Sequence, residues 1–250
     1  MSASMSASER TAHRLFLEAP LAAGERTACN PEQANYLLNV LRLGAGAEIL
    51  VFNGRDGEWR ARLVDVGKRR CALECVEQVH PQTSGPDIHY LFAPLKHARL
   101  DYMVQKATEM GVARLQPVLT RRTIAARVNI ERMHANAIEA AEQCGILRVP
   151  EVAEPAKLDA VLQSWDQTRA LVFCDEAAEV ASPLAALAQL EGRPLAVLIG
   201  PEGGFDPGEQ AMLRKKPFAL PISLGPRIMR ADTAAVAALA LVNAAVGDWR

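Results

Sequence analysis

Two short runs in the last quarter of the chain carry residue types and spacings from which chemistry can be built. The first is Leu195-Ala-Val-Leu-Ile-Gly-Pro-Glu-Gly-Gly-Phe205, and the second is Leu220-Pro-Ile-Ser-Leu-Gly-Pro-Arg-Ile-Met-Arg-Ala-Asp-Thr-Ala-Ala235. Each is an apolar, strand-like stretch that breaks into a Gly/Pro turn and leads into a helix. Glycines there let backbone approach a ligand closely. Two such turns at neighbouring strand ends would make a pocket walled by main chain, suited to a flat nucleoside. A strand, a glycine loop and a helix N-terminus also make a phosphate cradle. However, no Gly-Lys-Ser/Thr follows and the spacing is not G-x-G-x-x-G, so the nucleoside-triphosphate and dinucleotide readings fail on residue identity. A ligand-free strand-to-helix connection is the bland alternative for either loop. In the second turn Arg227 and Arg230 stand beside glycine at a strand end, costly unless paired or facing a ligand. Arg230 can stabilise charge developing on a substrate, can pair with Glu202 or Asp232, or can do both.

The elements that must position these turns fall into two parts. Over 13–80 the pattern favours strands: Arg14-Leu-Phe-Leu17, Glu48-Ile-Leu-Val-Phe52 and the roughly alternating run from Glu58 to Val66, with turn dipeptides Asn53-Gly54 and Asp56-Gly57. One helix is predicted over 31–43, capped by Asn30, with Pro31 in its first turn and Gly44 ending it. A small β-barrel with one helix fits this part. Pro81-Gln-Thr-Ser-Gly-Pro86 reads as a linker.

From residue 87 onward strands alternate with helices: strands at 88–93, 112–119, 170–174, 195–199 and 218–224, and helices at 100–110, 129–143, 184–190 and 232–245. Pro117 argues for an edge or a strand end. Asp206 and Glu209 form a capping pattern for a helix starting at Pro207. Asp232 or Thr233 can cap the final Ala/Val/Leu helix, which is apolar nearly all round and therefore expected to be buried. The alternation predicts a mostly parallel sheet covered on both faces.

Composition narrows the class. Half of the 250 residues are hydrophobic and 23% are charged, the balance of a soluble globular protein. No run reaches the roughly 20 apolar residues of a membrane span. Residues 1–12 are Ser/Ala-rich without an apolar core, so they are expected to form a disordered tail and not a secretory signal. The five cysteines are scattered and odd in number, without histidines at zinc spacing. They are expected as reduced thiols in a cytosolic protein, with no metal. The net charge of −1 conceals a basic middle. Residues 81–149 hold nine basic against six acidic side chains, among them Arg99, Arg121 and Arg122. They form either a phosphate-binding face or a solvated helix surface.

The two runs resemble the paired signatures of the RsmE-type 16S ribosomal RNA uridine N3-methyltransferases of the SPOUT superfamily. Further similarities follow in order along the chain: His13-Arg-Leu-Phe16, Val40-Leu-Arg-Leu43, Phe52-Asn-Gly54, Lys106-Ala-Thr-Glu-Met-Gly-Val112, and Glu142-Gln-Cys-Gly145 with Arg148-Val-Pro-Glu151. Gln33-Ala-Asn-Tyr36 departs from the histidine pair frequent in the family.

The resemblance implies a PUA-like RNA-binding barrel over 13–80 and a SPOUT α/β methyltransferase domain over 87–250, whose C-terminal part threads into a deep trefoil knot. It implies S-adenosylmethionine as cofactor, held by Leu198, Ile199, Gly200, Pro201, Gly203, Leu224, Gly225, Ile228 and Met229, and transfer of its methyl group to N3 of uridine 1498 of 16S rRNA in the small ribosomal subunit. Arg230 is then expected to stabilise the uridine anion, with Glu202 a base or orienting carboxylate. Arg14, Arg42, Arg55, Arg69, Arg70, Arg121 and Arg122 are expected RNA contacts. A cytoplasmic homodimer without membrane association is implied. Alternatives are a SPOUT enzyme acting on another RNA nucleotide and a non-catalytic RNA-binding or assembly factor.

Overall fold

The computed structural model describes residues 12–125, 127–178 and 182–249; the tail expected over 1–12 lies, up to residue 11, outside the described residues. The chain divides into two units. The first comprises the residues up to Ser84 together with Ala141–Arg148, and the second comprises Gly85–Ala140 and Val149 onward.

The first unit is built on a five-stranded sheet of β1 (Arg14–Phe16), β2 (Arg26–Ala28), β3 (Glu48–Phe52), β4 (Glu58–Val64) and β5 (Ala72–His80), in the order β1-β3-β4-β5-β2. Only β1 and β3 run parallel; the other pairs are antiparallel. Alternate residues, Ile49 and Val51 on β3 and Ala61 and Leu63 on β4, point into a core shared with Leu15, Leu73 and Leu37. Leu37 comes from the expected helix. It opens as α1 (Pro31–Asn35) on a complete Asn30/Gln33 capping box and continues as a π-helical turn, Tyr36–Val40. Termination differs from expectation. The Leu41 N–H reaches back to the Tyr36 carbonyl, and Arg42, at φ +55°, makes the left-handed exit assigned to Gly44.

The turn 53–57 is tied by its own side chains. Asn53 Oδ1 accepts the Arg55 and Asp56 N–H groups, and the Trp59 indole N–H donates to the Asp56 carbonyl. Next to it Glu58, on β4, receives the Arg14 guanidinium and His80 Nδ1, each at 2.8 Å. The 141–148 segment belongs to this unit because Glu142 accepts the Phe16 N–H at 2.8 Å and the Leu147 carbonyl accepts the Gln82 amide.

The second unit is a seven-stranded, wholly parallel sheet: β6 (Ile88–Phe92), β7 (Arg114–Leu119), β8 (Glu151–Val152), β9 (Ala156–Lys157), β10 (Ala170–Cys174), β11 (Leu195–Ile199) and β12 (Ala219–Ile222). The order is β12-β10-β11-β6-β7-β8, with β9 also on β7. The helices are α2 (His97–Glu109), α3 (Ile130–Cys144), α4 (Leu158–Gln163), α5 (Pro183–Ala188), α6 (Pro207–Arg214) and α7 (Ala231–Val246). Burial alternates along the strands. Tyr90, Phe92, Val172 and Val197 face a cluster with Met103 of α2, Ala137 of α3 and Leu239 of α7. Leu91, Phe173, Ala196 and Leu198 face another with Leu162 of α4 and Leu213 of α6. The expected two-faced parallel sheet is therefore present.

Three details correct the sequence reading. Pro117 is not at an edge: it pairs with Phe92 in the interior, opposite a gap between β8 and β9, where its missing N–H costs nothing. The Gln116 amide bridges that gap to the Glu154 carbonyl. The strand expected over 218–224 is shorter, Ala219–Ile222. Strands β8 and β9 and helix α4 carry no periodicity long enough to read.

Among the described residues no helix is long and apolar enough to cross a membrane. The Arg14–Glu58 pair, with side chains 3% and 2% exposed, generates a stability prediction. Glu58→Gln removes the carboxylate that compensates a buried guanidinium, so it should destabilise the first unit by about 3–5 kcal/mol, read as a lowered urea midpoint.

Candidate functional site

Because every strand of the second unit points the same way, the connections after β6, β7, β10, β11 and β12 all leave from the C-terminal edge of the sheet, where open parallel sheets place ligands. The two glycine turns meet there, but not as neighbours. Strand β10 lies between β11 and β12, so the expected adjacency of their ends is corrected. A third connection, opening at buried Asp175, stands between them and is anchored by Arg214 of α6 at 2.6 Å.

The turn after β11 is held rigidly. Leu198 and Ile199 are core residues on opposite faces of the sheet, and Pro201 is buried. Phe205 folds back so that a Cβ on Gly200 would lie 2.9 Å from its ring, and a side chain there would have to displace that buried ring. Gly204, at φ +68°, closes a turn onto the Pro201 carbonyl. Asp206 and Glu209 form the expected capping box of α6. Glu209, 4% exposed, also accepts the Arg121 backbone N–H. The Arg121 guanidinium donates to Asp206, and Arg122 donates to the Gly203 carbonyl, both at 2.9 Å. The loop after β7 thereby grips the loop after β11, and two arginines expected at RNA hold this turn in place.

The turn after β12 is more open. Leu224 and Met229 pack half-buried against the core, Gly225 adopts φ +102°, and Ile228 is 96% exposed. Neither Asp232 nor Thr233 caps α7. Arg230 occupies the cap position in extended conformation, and its carbonyl accepts the Ala234 N–H at 2.8 Å. Its side chain is exposed and, among the described residues, forms no ion pair with Glu202 or Asp232.

Both of those carboxylates go to Arg99, in the first turn of α2. Its Nε donates to Asp232 Oδ2 at 3.1 Å and its Nη1 to Glu202. Arg99 was read only as part of a basic patch. The signal that could have distinguished it is its position, since a cation at a helix N-terminus is disfavoured by the dipole unless carboxylates compensate. Much of that patch is internally paired: Lys106 with Glu109, Arg114 with Glu151, Arg121 with Asp206 and Arg132 with Asp101.

Of the arginines expected at RNA, Arg14 is corrected: it is buried against Glu58 and presents no surface to a phosphate. Arg42, Arg55, Arg69 and Arg70 are exposed on the first unit, Arg55 touching the Glu18 carbonyl.

The cavities do not themselves locate a ligand. One of about 10 Å³ lies at the C-terminal edge between Lys96, Arg122 and Glu202. Another, of about 430 Å³, lies beneath α4 towards the N-terminal ends of the strands, lined by His89, Trp165 and Arg169 among others. Its two arginines are already paired, Arg169 with Asp87 and Arg114 with Glu151, and Asp166 adds a carboxylate to its lining.

Residues 83–243 match the family described as an RNA methyltransferase domain, and residues 30–74 match the one described as an RNA methyltransferase PUA domain. The chain is 34% identical over 220 residues to the ribosomal RNA small subunit methyltransferase E of Synechocystis sp., covering 85% of this chain and 71% of that one. It is 29% identical over 233 residues to the protein of the same name from Rickettsia conorii, covering 92% and 95%. Among solved structures it is similar to the Legionella pneumophila protein Lpg2936 in complex with SAM, with a TM-score of 0.84 and 28% identity over 95% of this chain and 99% of that one. It is also similar to the Neisseria gonorrhoeae ribosomal RNA small subunit methyltransferase E bound to S-adenosylmethionine, with a TM-score of 0.83 and 25% identity over 96% and 100%.

The carboxylates that fix this edge generate a pH prediction. The Gly208 N–H, first, and then Arg121 hold the Asp206 carboxyl below the usual carboxylate range against partial desolvation. For Asp232 desolvation is the largest single influence and works upward, but the Arg99 hydrogen bond and charge and the Thr233 N–H together outweigh it and lower its pKa. Stability from both groups is therefore complete above the unfolded carboxylate pKa of about 3.9 and is lost as pH falls through their lower folded values. Carboxyl-carbon NMR titration should find both below the ordinary range, and neither should contribute a change in the urea midpoint between about pH 6 and 8.

Proposed function

Since this chain belongs to the RNA methyltransferase family, we propose that it transfers the methyl group of S-adenosylmethionine to N3 of uridine 1498 in the 16S rRNA of the small ribosomal subunit. The observation that carries this reading is the convergence, at one edge of a parallel sheet, of two glycine turns with an exposed arginine at the start of the last helix. The domains divide the work, with 13–80 serving as a PUA-like RNA-binding barrel and 87–250 as a SPOUT methyltransferase domain closed by a trefoil knot. The protein acts as a cytoplasmic homodimer, with the cofactor pocket near the subunit interface.

The residues present fit the cofactor. Gly203 and Gly225 keep main chain accessible, and half-buried Leu224 and Met229 with exposed Ile228 supply an uncharged wall for adenine and the methionine chain, while Leu198, Ile199, Gly200 and Pro201, packed in the core or under Phe205, act through the course they give the backbone. Ile228, exposed beside half-buried Met229, is apolar surface available to such a ligand. S-adenosylmethionine supplies a methyl group on a sulfonium, a leaving group already cationic.

The chain's own residues must do the remainder. Uridine N3 becomes nucleophilic on losing its proton, and the anion spreads onto the uracil oxygens. Arg230, anchored by its backbone as the α7 cap with its side chain free, places a positive charge there. The rigid turn after β11 fixes the line of attack. Arg42, Arg55, Arg69 and Arg70, with the exposed faces of Arg121 and Arg122, contact phosphates.

Methyl transfer from labelled S-adenosylmethionine to unmodified small subunits, followed by digestion to nucleosides, tests this. Label should appear in 3-methyluridine, and Arg230→Ala should lower kcat by about 10²–10³-fold. Label in another nucleoside discards the substrate assignment; absence of both label and cofactor binding points to a non-catalytic RNA-binding factor. Affinity for the RNA should show a moderate salt slope, and a slope corresponding to about ten released counterions would contradict recognition through few phosphate contacts.

A further inference from the structure

We infer that Arg99 is the positioning residue of this site, and that Glu202 serves as its partner and not as the base that removes the uridine proton. The inference deepens the methyltransferase reading and rests on it for its functional half.

The geometry is specific. Arg99 stands in the first turn of α2, which follows β6; Glu202 lies in the turn after β11; Asp232 lies in the first turn of α7, which follows β12. One guanidinium thus links three connections that leave the same sheet edge. It donates along two edges: Nε and Nη2 to Asp232, at 3.1 and 3.4 Å, and Nη1 to Glu202. A planar fork with fixed donor directions sets the spacing of two acceptors in a way a point charge does not. Asp232 is two residues beyond Arg230, so the link fixes where α7 begins relative to the Gly200–Phe205 turn. It thereby sets the distance between the cofactor loop and the arginine that meets the substrate.

Charge supports the same assignment. The positive end of the α2 dipole raises the cost of a cation in its first turn, and two carboxylates offset it. The link also offsets one of the two negative charges at the edge where an RNA polyanion must approach. Glu202 is committed to this link, so its carboxylate is not held free to take a proton. Hydrogen bonding to Asp232, first, and the nearby charges of both carboxylates raise the guanidinium pKa above its ordinary value.

The test uses the full chain, comparing the parent with Arg99→Ala and with a Glu202→Gln/Asp232→Asn double variant that retains the arginine. Backbone amide exchange without ligand should accelerate about tenfold in both 200–205 and 231–234 in each variant, with exchange in the first unit unchanged. The Kd for S-adenosylmethionine should weaken about tenfold. In steady state, KM for the cofactor should rise and kcat at saturation should also fall, by about tenfold, because the link sets the distance between the cofactor loop and Arg230. A purely structural loss would lower kcat through the active fraction and leave KM in place. If Arg99→Ala fails to fold, the double variant carries the same three readouts.

Unchanged exchange in both loops, acceleration confined to α2, or a Kd within about twofold of the parent overturns the inference. A kcat loss of about 10³-fold in Glu202→Gln alone restores that residue as a base and overturns its assignment here. A parent that binds no S-adenosylmethionine strikes the methyltransferase reading itself, while the exchange data still decide whether Arg99 joins the loops.

Discussion

The uniform direction of the strands in the second unit is the constraint from which its site follows. In a parallel sheet each strand must be followed by a return over one face, and the connections out of the strands collect at one edge. Five connections share that edge. Each carries polar backbone that the sheet cannot satisfy, and the chain answers with side chains from neighbouring connections. Glu209 accepts the Arg121 N–H and Arg122 donates to the Gly203 carbonyl, while the other guanidinium links join side chains across the connections: Arg121 to Asp206, Arg214 to Asp175, and Arg99 to Glu202 and Asp232. The edge is a mesh of arginines and carboxylates, while Arg227 and Arg230, both exposed in the turn after β12, form no ion pair among the described residues.

Local signals in the sequence were legible where local physics governs. The Asn30 cap, the Asp206/Glu209 box, and the buried strands at 88–92, 170–174 and 195–199 depend on residues within a few positions of one another. Two-residue strands such as β8 and β9 are too short for any periodicity, and they exist only because β7 offers them a partner. The exit at Arg42 was hidden because a π-helical turn shifts the hydrogen-bond register, so that a residue unsuited to positive φ takes the place of glycine.

The site was legible in its residues but not in its wiring. The glycine turns and Arg230 declared themselves by type and spacing. The insertion of β10 between their two strands did not, because strand order is a property of the whole sheet. Arg99 was hidden for the same reason, since its partners lie 103 and 133 residues away. Arg14 misled in the other direction: it was expected at RNA, and Glu58, brought from β4, instead compensates its charge in the core.

The return of residues 141–148 to the first unit has a bearing on how the protein is made. The ribosome delivers β1 to β5 early, but the Phe16 N–H obtains its partner only when Glu142 has emerged. By then β6, α2 and β7 have already been synthesised. The unit that begins first is therefore completed by sequence that arrives after the second has started. A nascent chain stalled before that point, or a fragment cut at the linker, carries a first unit with an edge still open.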